Sequence, residues 1–245
     1  MDWPAAEAQA LLRGRTALVT GASRGIGRAV AQRLCAAGAR VAMTARGEAE
    51  LRAAAEAVGG HAVPADVADP AAVDRLAARV GELLGGAAPD IVVNAAGAFR
   101  LAPIAEMDPA DFEAQLAVNL RGTFLVIRAF LPAMLRRRSG HVLTIGSVAG
   151  RVAFPHNGGY AASKFGVRGL HAVLDVELRG TGVRATLVEP GATDTPLWDA
   201  IDTARHPGLP PRAAMLSPDA VADAVLFALS RPPEVDVRTL FLERS

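Results

Sequence analysis

Short apolar runs punctuate the chain at Thr16–Thr20, Arg40–Thr44, 91–93, 141–145, 183–188 and 237–242, with a weaker run at 61–63. Between them lie longer stretches whose apolar residues recur every three to four positions, the spacing of one helical face. About seven strands alternating with helices predict parallel strands joined by right-handed crossovers, and so an α/β fold: a doubly wound parallel sheet with helices on both faces. Two helical stretches, 110–135 and 160–178, are unusually long and apolar. In the second, Phe165, Val167, Leu170, Val173, Leu174 and Leu178 leave little of the circumference polar. More than one face is expected to be buried, in the chain's own core or at a subunit interface.

The segment 193–217 breaks this rhythm. It lacks periodicity and carries Pro196, Pro207, Pro210 and Pro211, and long irregular loops inside compact domains often bind ligands. It is expected to be a substrate-binding loop. Residues 1–14 form an N-terminal extension before the first strand, and with no internal repeat or linker the 245 residues are expected to make one domain.

Composition adds limits. At 51% hydrophobic and 21% charged the chain falls among globular proteins, and its net charge of +1 gives no overall attraction for nucleic acid or an anionic membrane. The run Arg136, Arg137, Arg138 closes a predicted helix, where cations complement the helix dipole. Cys35 is the sole cysteine, which forbids an intramolecular disulfide and suits a reducing compartment. Among Ala31, Leu34 and Ala36 it reads as a small buried hydrophobe. The first fifteen residues hold no apolar run suited to a signal peptide, and no run approaches a membrane span of roughly 18 uninterrupted apolar residues. A soluble, cytoplasmic protein without nucleic-acid, membrane or metal partners is expected.

Candidate chemistry begins after the first strand, at Thr20-Gly21-Ala22-Ser23-Arg24-Gly25-Ile26-Gly27, where a helical pattern starts at once. Glycines allow a tight turn, close approach of backbone to a pyrophosphate and close helix packing, and a helix N-terminus offers free N–H groups. The spacing is G-x-x-x-G-x-G, not the G-x-G-x-x-G of the common fingerprint; by itself it supports nucleotide binding or a structural turn. Further on, Tyr160 and Lys164 lie four apart on a predicted helix and share a face, so the ammonium is expected to lower the phenol's pKa. Ser147 follows the 141–145 strand and Asn94 the 91–93 strand, at the sheet edge where open α/β folds bind ligands. Asn119 interrupts an apolar helix, where its amide must find partners; a core tie to a neighbouring strand is the plain reading.

Together these residues resemble, in order and spacing, the short-chain dehydrogenase/reductase superfamily, in its group of single-domain enzymes of Rossmann-type fold. The resemblance covers motifs from Thr16 to about Thr195. It implies that Gly21, Gly25 and Gly27, with Ser23 and Ile26 between them, hold the cofactor pyrophosphate, that Asp66 and Val67 contact adenine, and that Asn94, Ala95, Ala96 and Gly97 form the family's Asn-Ala-Gly-type segment. Asn119, Ser147, Tyr160 and Lys164 correspond to the family's catalytic tetrad, and Pro190, Gly191, Thr193 and Thr195 to the turn that closes over the nicotinamide. The activity this implies is hydride transfer between a nicotinamide and a carbonyl or alcohol carbon. Ser147 would hold the substrate oxygen, Tyr160 give or take its proton, Lys164 bind the ribose, and Asn119 orient a relaying water.

Two other function classes compete. A hydrolase would use Ser147, but Ile145-Gly146-Ser147-Val148-Ala149 does not match G-x-S-x-G. A non-catalytic dinucleotide sensor would not need Tyr160, Lys164 and Ser147 together. Val152, Ala153, Phe154 and Pro155 before Tyr160, and Leu197, Trp198 and Ile201 after the Pro-Gly turn, predict an apolar pocket for a medium-sized ketone, aldehyde or secondary alcohol. The ending Arg238-Thr239-Leu240-Phe241-Leu242-Glu243-Arg244-Ser245 departs from that frequent in oxoacyl-thioester reductases, which leaves such substrates as the alternative. NADP(H) is expected over NAD(H). The second strand ends without an acid, Arg46 and Arg24 stand ready for a 2′-phosphate, and Glu48 reads as a first-turn helix acid. A homodimer or homotetramer joined through the two long helices is expected.

Overall fold

The computed structural model describes residues 12–86, 88–203 and 208–245. Pro207 and most of the N-terminal extension lie outside them. Seven strands, β1 (Thr16–Thr20), β2 (Arg40–Thr44), β3 (His61–Ala62), β4 (Ile91–Asn94), β5 (Gly140–Ile145), β6 (Val183–Pro190) and β7 (Thr239–Leu242), form one parallel sheet in the order β3-β2-β1-β4-β5-β6-β7. Helices α1 (Gly25–Ala36), α2 (Glu48–Val58), α3 (Pro70–Leu84), α4 (Pro109–Leu116), α5 (Gly122–Arg137), α6 (Gly158–Glu177) and α7 (Pro218–Leu229) cover it. The expected doubly wound α/β architecture is the one found. Strand order reverses between β1 and β4, and beyond such a switch point lies the crevice where these folds bind ligands.

The five inner strands β2, β1, β4, β5 and β6 feed two cores because successive side chains point to opposite faces. Leu18 packs with Val92, Val142, Leu76 and Val80 of α3, Val126 and Phe130 of α5, and Leu174 of α6. Val19, its neighbour, packs with Val41, Leu143, Val30 and Leu34 of α1, Leu51 of α2, and Val221 and Val225 of α7. Each such side chain, fully buried, contributes roughly 1.5–3 kcal/mol, so strands buried on both faces anchor the sheet. Helix starts are written locally: Asp69, Asp108 and Ser217 each precede a proline and accept hydrogen bonds from Ala71, Ala110 and Ala220 N–H.

Three expectations need adjustment. The last strand begins at Thr239, not 237, because the Val237 carbonyl is taken by the Thr186 hydroxyl at 2.6 Å. The helix expected at 110–135 runs from Pro109 to Arg137, but residues Ala117–Arg121 adopt the wider π-helical turn. The 29-residue stretch Pro109–Arg137 contains an 18-residue window of mean hydropathy 1.3, long and apolar enough to cross a membrane by length and composition. Val126, Phe130 and Met134 nonetheless lie in the core against the sheet, so the stretch serves as a core helix. In α6 one face, with Val167, His171 and Leu174, is buried, whereas Phe165 (47%), Val173 (56%) and Val176 (57%) are exposed in the single chain. The arginine run ends α5 as expected: Arg137 donates to Ala88 and Pro89 carbonyls at 2.8 Å each. Cys35 is half-buried and packs against the core of α1.

Candidate active site

The glycine turn after β1 is pressed between β4 and α1. Gly21 has φ 64°, and a Cβ there would stand 2.7 Å from Ala95 O; a Cβ on Gly27 would run into Gly21 O. Gly25, at φ 55°, faces the Thr195 side chain, 3.2 Å from where its Cβ would be. Such crowding and positive φ leave room for glycine alone at these positions, and α1 begins with no capping side chain and no first-turn acid. That cradle fits a dinucleotide pyrophosphate. Thr20, not singled out in the sequence, ties the turn to the next strand: its hydroxyl accepts from Ala95 N at 3.0 Å and Ala96 N at 3.1 Å. Asn94 is buried, and neither atom of its amide has a partner.

Three sequence-expected residues converge at the ends of β5 and α6. Ser147 leaves β5 extended, and its hydroxyl accepts from Ala149 N at 3.1 Å, capping the turn Val148–Gly150. Lys164 reaches across to donate to Ile145 O at 2.9 Å, and its ammonium lies 5.5 Å from the centre of the Tyr160 ring. The Tyr160 ring packs edge-on against Phe99 at 4.7 Å, and Phe99 against Trp198 at 5.0 Å. Thr195 caps the turn Pro196–Trp198, Thr193 donates to Gly191 O at 3.0 Å, and Gly191 N bonds Leu242 O at 2.8 Å.

The expected lowering of the Tyr160 pKa by Lys164 is not what the geometry gives. Burial pushes the phenol up to about 12, with Ser147's hydroxyl close enough to oppose the shift. Burial also pushes Lys164 down to about 8. Desolvation disfavours both charged forms and outweighs their mutual attraction here. At neutral pH the phenol is therefore protonated and the ammonium still mostly charged.

Asn119 sits within the π-helical turn, and that turn explains how it is satisfied. Its Oδ1 accepts from Ala98 N at 2.7 Å, while Nδ2 donates to Ala98 O at 2.9 Å and to the Ser163 hydroxyl at 2.9 Å. Ser163 in turn donates to Tyr160 O at 2.7 Å. The amide is thus a tie to the segment after β4 and to the backbone of Tyr160, with both Nδ2 protons committed. Ser163 was not singled out; a serine inside an apolar helix, between Tyr160 and Lys164, was the available signal.

Two cavities lie on either side of Ala96 and Gly97, which line both. The larger, about 450 Å³, is walled by Ile26, Ser147, Tyr160, Lys164, Pro190, Gly191, Thr193 and Thr195, and by apolar Phe99, Phe154, Leu197 and Trp198. Val152, Ala153, Pro155 and Ile201, expected as pocket walls, are not on it, whereas Phe99 and Asn157 are. The smaller, about 220 Å³, is lined by Gly21, Ser23, Arg24, Arg46, Asp66 and Val67, together with Glu50. Glu48 is held by Arg52 at 2.5 Å, as a first-turn helix acid. Glu50 is the acid that enters the cavity, its carboxylate 3.3 Å from the Ser23 hydroxyl.

The family model described as short chain dehydrogenase matches residues 15–206. The chain belongs to the short-chain dehydrogenase family. An uncharacterized oxidoreductase of Staphylococcus saprophyticus is 35% identical over 232 residues, covering 92% of this chain and 95% of that one. Among solved structures, a metagenomic short-chain oxidoreductase in complex with NADP matches with TM-score 0.82 and 33% identity over 96% of this chain and 99% of the other. An alcohol dehydrogenase from the archaeon Thermococcus sibiricus, complexed with 5-hydroxy-NADP, matches with TM-score 0.80 and 30% identity over 94% and 96%. Short-chain dehydrogenases are oxidoreductases that bind a nicotinamide dinucleotide, and the two cavities accord with that class.

Proposed function

We propose that the chain is an NADP(H)-dependent oxidoreductase acting between a carbonyl and the corresponding alcohol of a medium-sized, largely apolar substrate. The reading rests above all on one observation: the cavity lined by Ser147, Tyr160 and Lys164 shares its Ala96 and Gly97 wall with the cavity lined by Arg24 and Arg46. The glycine cradle with Ile26 would hold the pyrophosphate, Asp66 and Val67 the adenine side, and Pro190, Gly191, Thr193 and Thr195 the nicotinamide side. Asn94, Ala95, Ala96 and Gly97 would form the floor between them. When bound, the nicotinamide supplies or accepts the hydride.

The protein's part is proton management and orientation. Tyr160, protonated at neutral pH, gives its proton to the substrate oxygen as charge develops there, and Ser147 donates a hydrogen bond to the same oxygen. Lys164 contributes positive charge beside the phenol and a donor for ribose hydroxyls. Asn119 acts through Ser163 on the backbone of Tyr160. Residues 1–245 would form one catalytic domain in which 193–217 shapes the substrate end through Leu197 and Trp198. A 3-oxoacyl-thioester reductase and a non-catalytic dinucleotide sensor are the alternatives. The exposed apolar residues Phe124 and Leu135 on α5, and Phe165, Val173 and Val176 on α6, support a homodimer or homotetramer joined there.

Tyr160→Phe tests the reading. It keeps the ring and removes the proton, so turnover of carbonyl substrates should fall about 10²–10⁴-fold while NADPH binding, followed by nicotinamide fluorescence, survives. A variant retaining about half of wild-type kcat would rule Tyr160 out, and binding without turnover in the wild type would favour the sensor.

A further inference from the structure

One buried charge near the site has no part in the chemistry proposed above. Glu189, on β6 one residue before Pro190, is 1% exposed; its Oε2 accepts from Arg151 Nε at 2.6 Å and lies 2.5 Å from Arg151 Nη2. Its Oε1 is buried without a hydrogen bond, 3.8 Å from Arg168 Nε on α6. Arg151 also lies over the ring of Phe241 on β7, 5.6 Å from its centre.

These contacts join the segments that carry the candidate catalytic groups. Arg151 directly follows the turn Val148–Gly150, which Ser147 caps. Arg168 stands one helical turn beyond Lys164, on the same face. The Glu189 side chain packs over Gly146, where a Cβ would come within 3.1 Å of Glu189 Cγ, and Gly146 N bonds Val188 O at 2.7 Å. A Cβ on Gly150 would stand 2.9 Å from Lys164 O. The Ser147 turn is thus packed on α6 at Gly150 and tied to β6 by a carboxylate, and β6 runs directly into Pro190 and Gly191.

Taking a carboxylate out of water is costly, and well-packed apolar residues often match or exceed a buried ion pair in stability. Stability alone is a weak reason for a charge here, on a strand whose Leu187 and Val188 are buried and apolar. An ion pair does what an apolar side chain does not: it fixes the direction in which Arg151 leaves the turn. We propose that Glu189 is a positioning residue that, by pairing with Arg151, holds the Ser147 turn in register with the Pro190-Gly191 turn. The serine that meets the substrate oxygen and the turn beside the nicotinamide are then set by one carboxylate. What the two turns hold rests on the carbonyl-reduction reading; the contacts themselves do not.

The test compares full-length wild type, Arg151→Met, Glu189→Gln and the double variant, with NADPH and a panel of ketones and aldehydes. In each single variant kcat should fall roughly 10- to 100-fold, the scale of an ångström's misplacement, with KM for the carbonyl little changed. The double variant should lose no more than the worse single, because the two residues act as one unit. It also leaves no unpaired buried carboxylate, so it decides the matter if a single variant fails to fold. Amide hydrogen exchange reads the same coupling without turnover: exchange at Gly146, Ala149, Gly150 and Gly191 should quicken while the amides of β1 and α7 keep their protection. A carboxylate that serves only stability gives a lower Tm with wild-type kcat, or exchange that quickens evenly across the chain, and either result overturns the assignment. If wild type reduces no carbonyl on the panel, the carbonyl-reduction reading falls and exchange alone decides: local quickening upholds Glu189, and its absence overturns it.

Discussion

Acidification should destabilise the fold through two buried histidines, one in the sheet and one on α6. His141, on β5, is 3% exposed, and its Nε2 lies 2.8 Å from the Thr186 hydroxyl. That hydroxyl already donates to Val237 O, so Nε2 must carry the ring proton, and Nδ1 is left bare and without a partner. His171, on α6, is 5% exposed, and neither ring nitrogen has a partner. Burial pushes His141 down to about 3, with Arg184 and His171 adding to the effect; burial likewise pushes His171 down to about 4 against the pull of Asp175. An unfolded histidine titrates near 6.5. Between pH 6.5 and these folded values the unfolded chain binds more protons, so stability is full above about pH 6.5 and falls as the pH drops below it. At pH 5 each histidine costs about 1.5 pH units at 1.36 kcal/mol each, roughly 2 kcal/mol, and the pair about 4 kcal/mol. That is a large share of a typical 5–15 kcal/mol stability, and it corresponds to a Tm drop on the order of 8–16 °C for a chain of this size. The assay is urea unfolding at pH 7.5 and pH 5 at one protein concentration, for wild type and His171→Leu. The variant should lose about 2 kcal/mol less than wild type between the two pH values, whatever its absolute stability. Equal losses would refute the reasoning.

The cofactor subsite and the assembly give two further predictions. Arg46→Asp should lower kcat/KM for NADPH by about 10- to 150-fold, the equivalent of one hydrogen bond to a charged group, with little effect on NADH. Glu50, whose carboxylate shares that cavity, opposes a 2′-phosphate and should keep the wild-type preference modest; a wild type favouring NADH, or an unmoved cofactor ratio in Arg46→Asp, would show that the arginines do not read the phosphate. Light scattering at micromolar concentration should give a multiple of the 25.3 kDa chain mass, and a monomer mass would exclude pairing through α5 and α6.

What could be read from the sequence was whatever periodicity and spacing encode. Thr16–Thr20 and Arg40–Thr44 are bounded as expected because an apolar run between polar residues is itself the signal of a doubly buried strand. Tyr160 and Lys164 meet because four residues make about one helical turn. Properties that depend on several distant elements were not readable. The sign of the Tyr160 shift depends on how tightly Phe99 and its neighbours exclude water, and Phe99 comes from the loop after β4. Glu50 and Glu48 are indistinguishable as letters two apart on one helix; Arg52 takes one and the cavity receives the other. Val237 reads as strand, yet a threonine on the neighbouring strand claims its carbonyl.

The places where local rules fail are themselves informative, because natural sequences tend to give up local consistency where function requires it. An apolar helix would run unbroken through 117–121 if packing alone decided; instead it widens into a π turn at Asn119, a distortion often found at functional sites. The extra residue in that turn accompanies an amide bonded at once to Ala98 and Ser163, and through Ser163 to the backbone of Tyr160. Lysine is seldom buried, yet Lys164 is, with a single carbonyl partner from β5. Asparagine before a helix normally caps it, yet Asn157 does not. All three departures lie on the two chain segments that flank one cavity, α6 with its approach and the helix packed against it. Such a distribution is expected of a rigid sheet that carries the stability and one edge at which side chains are held for a ligand.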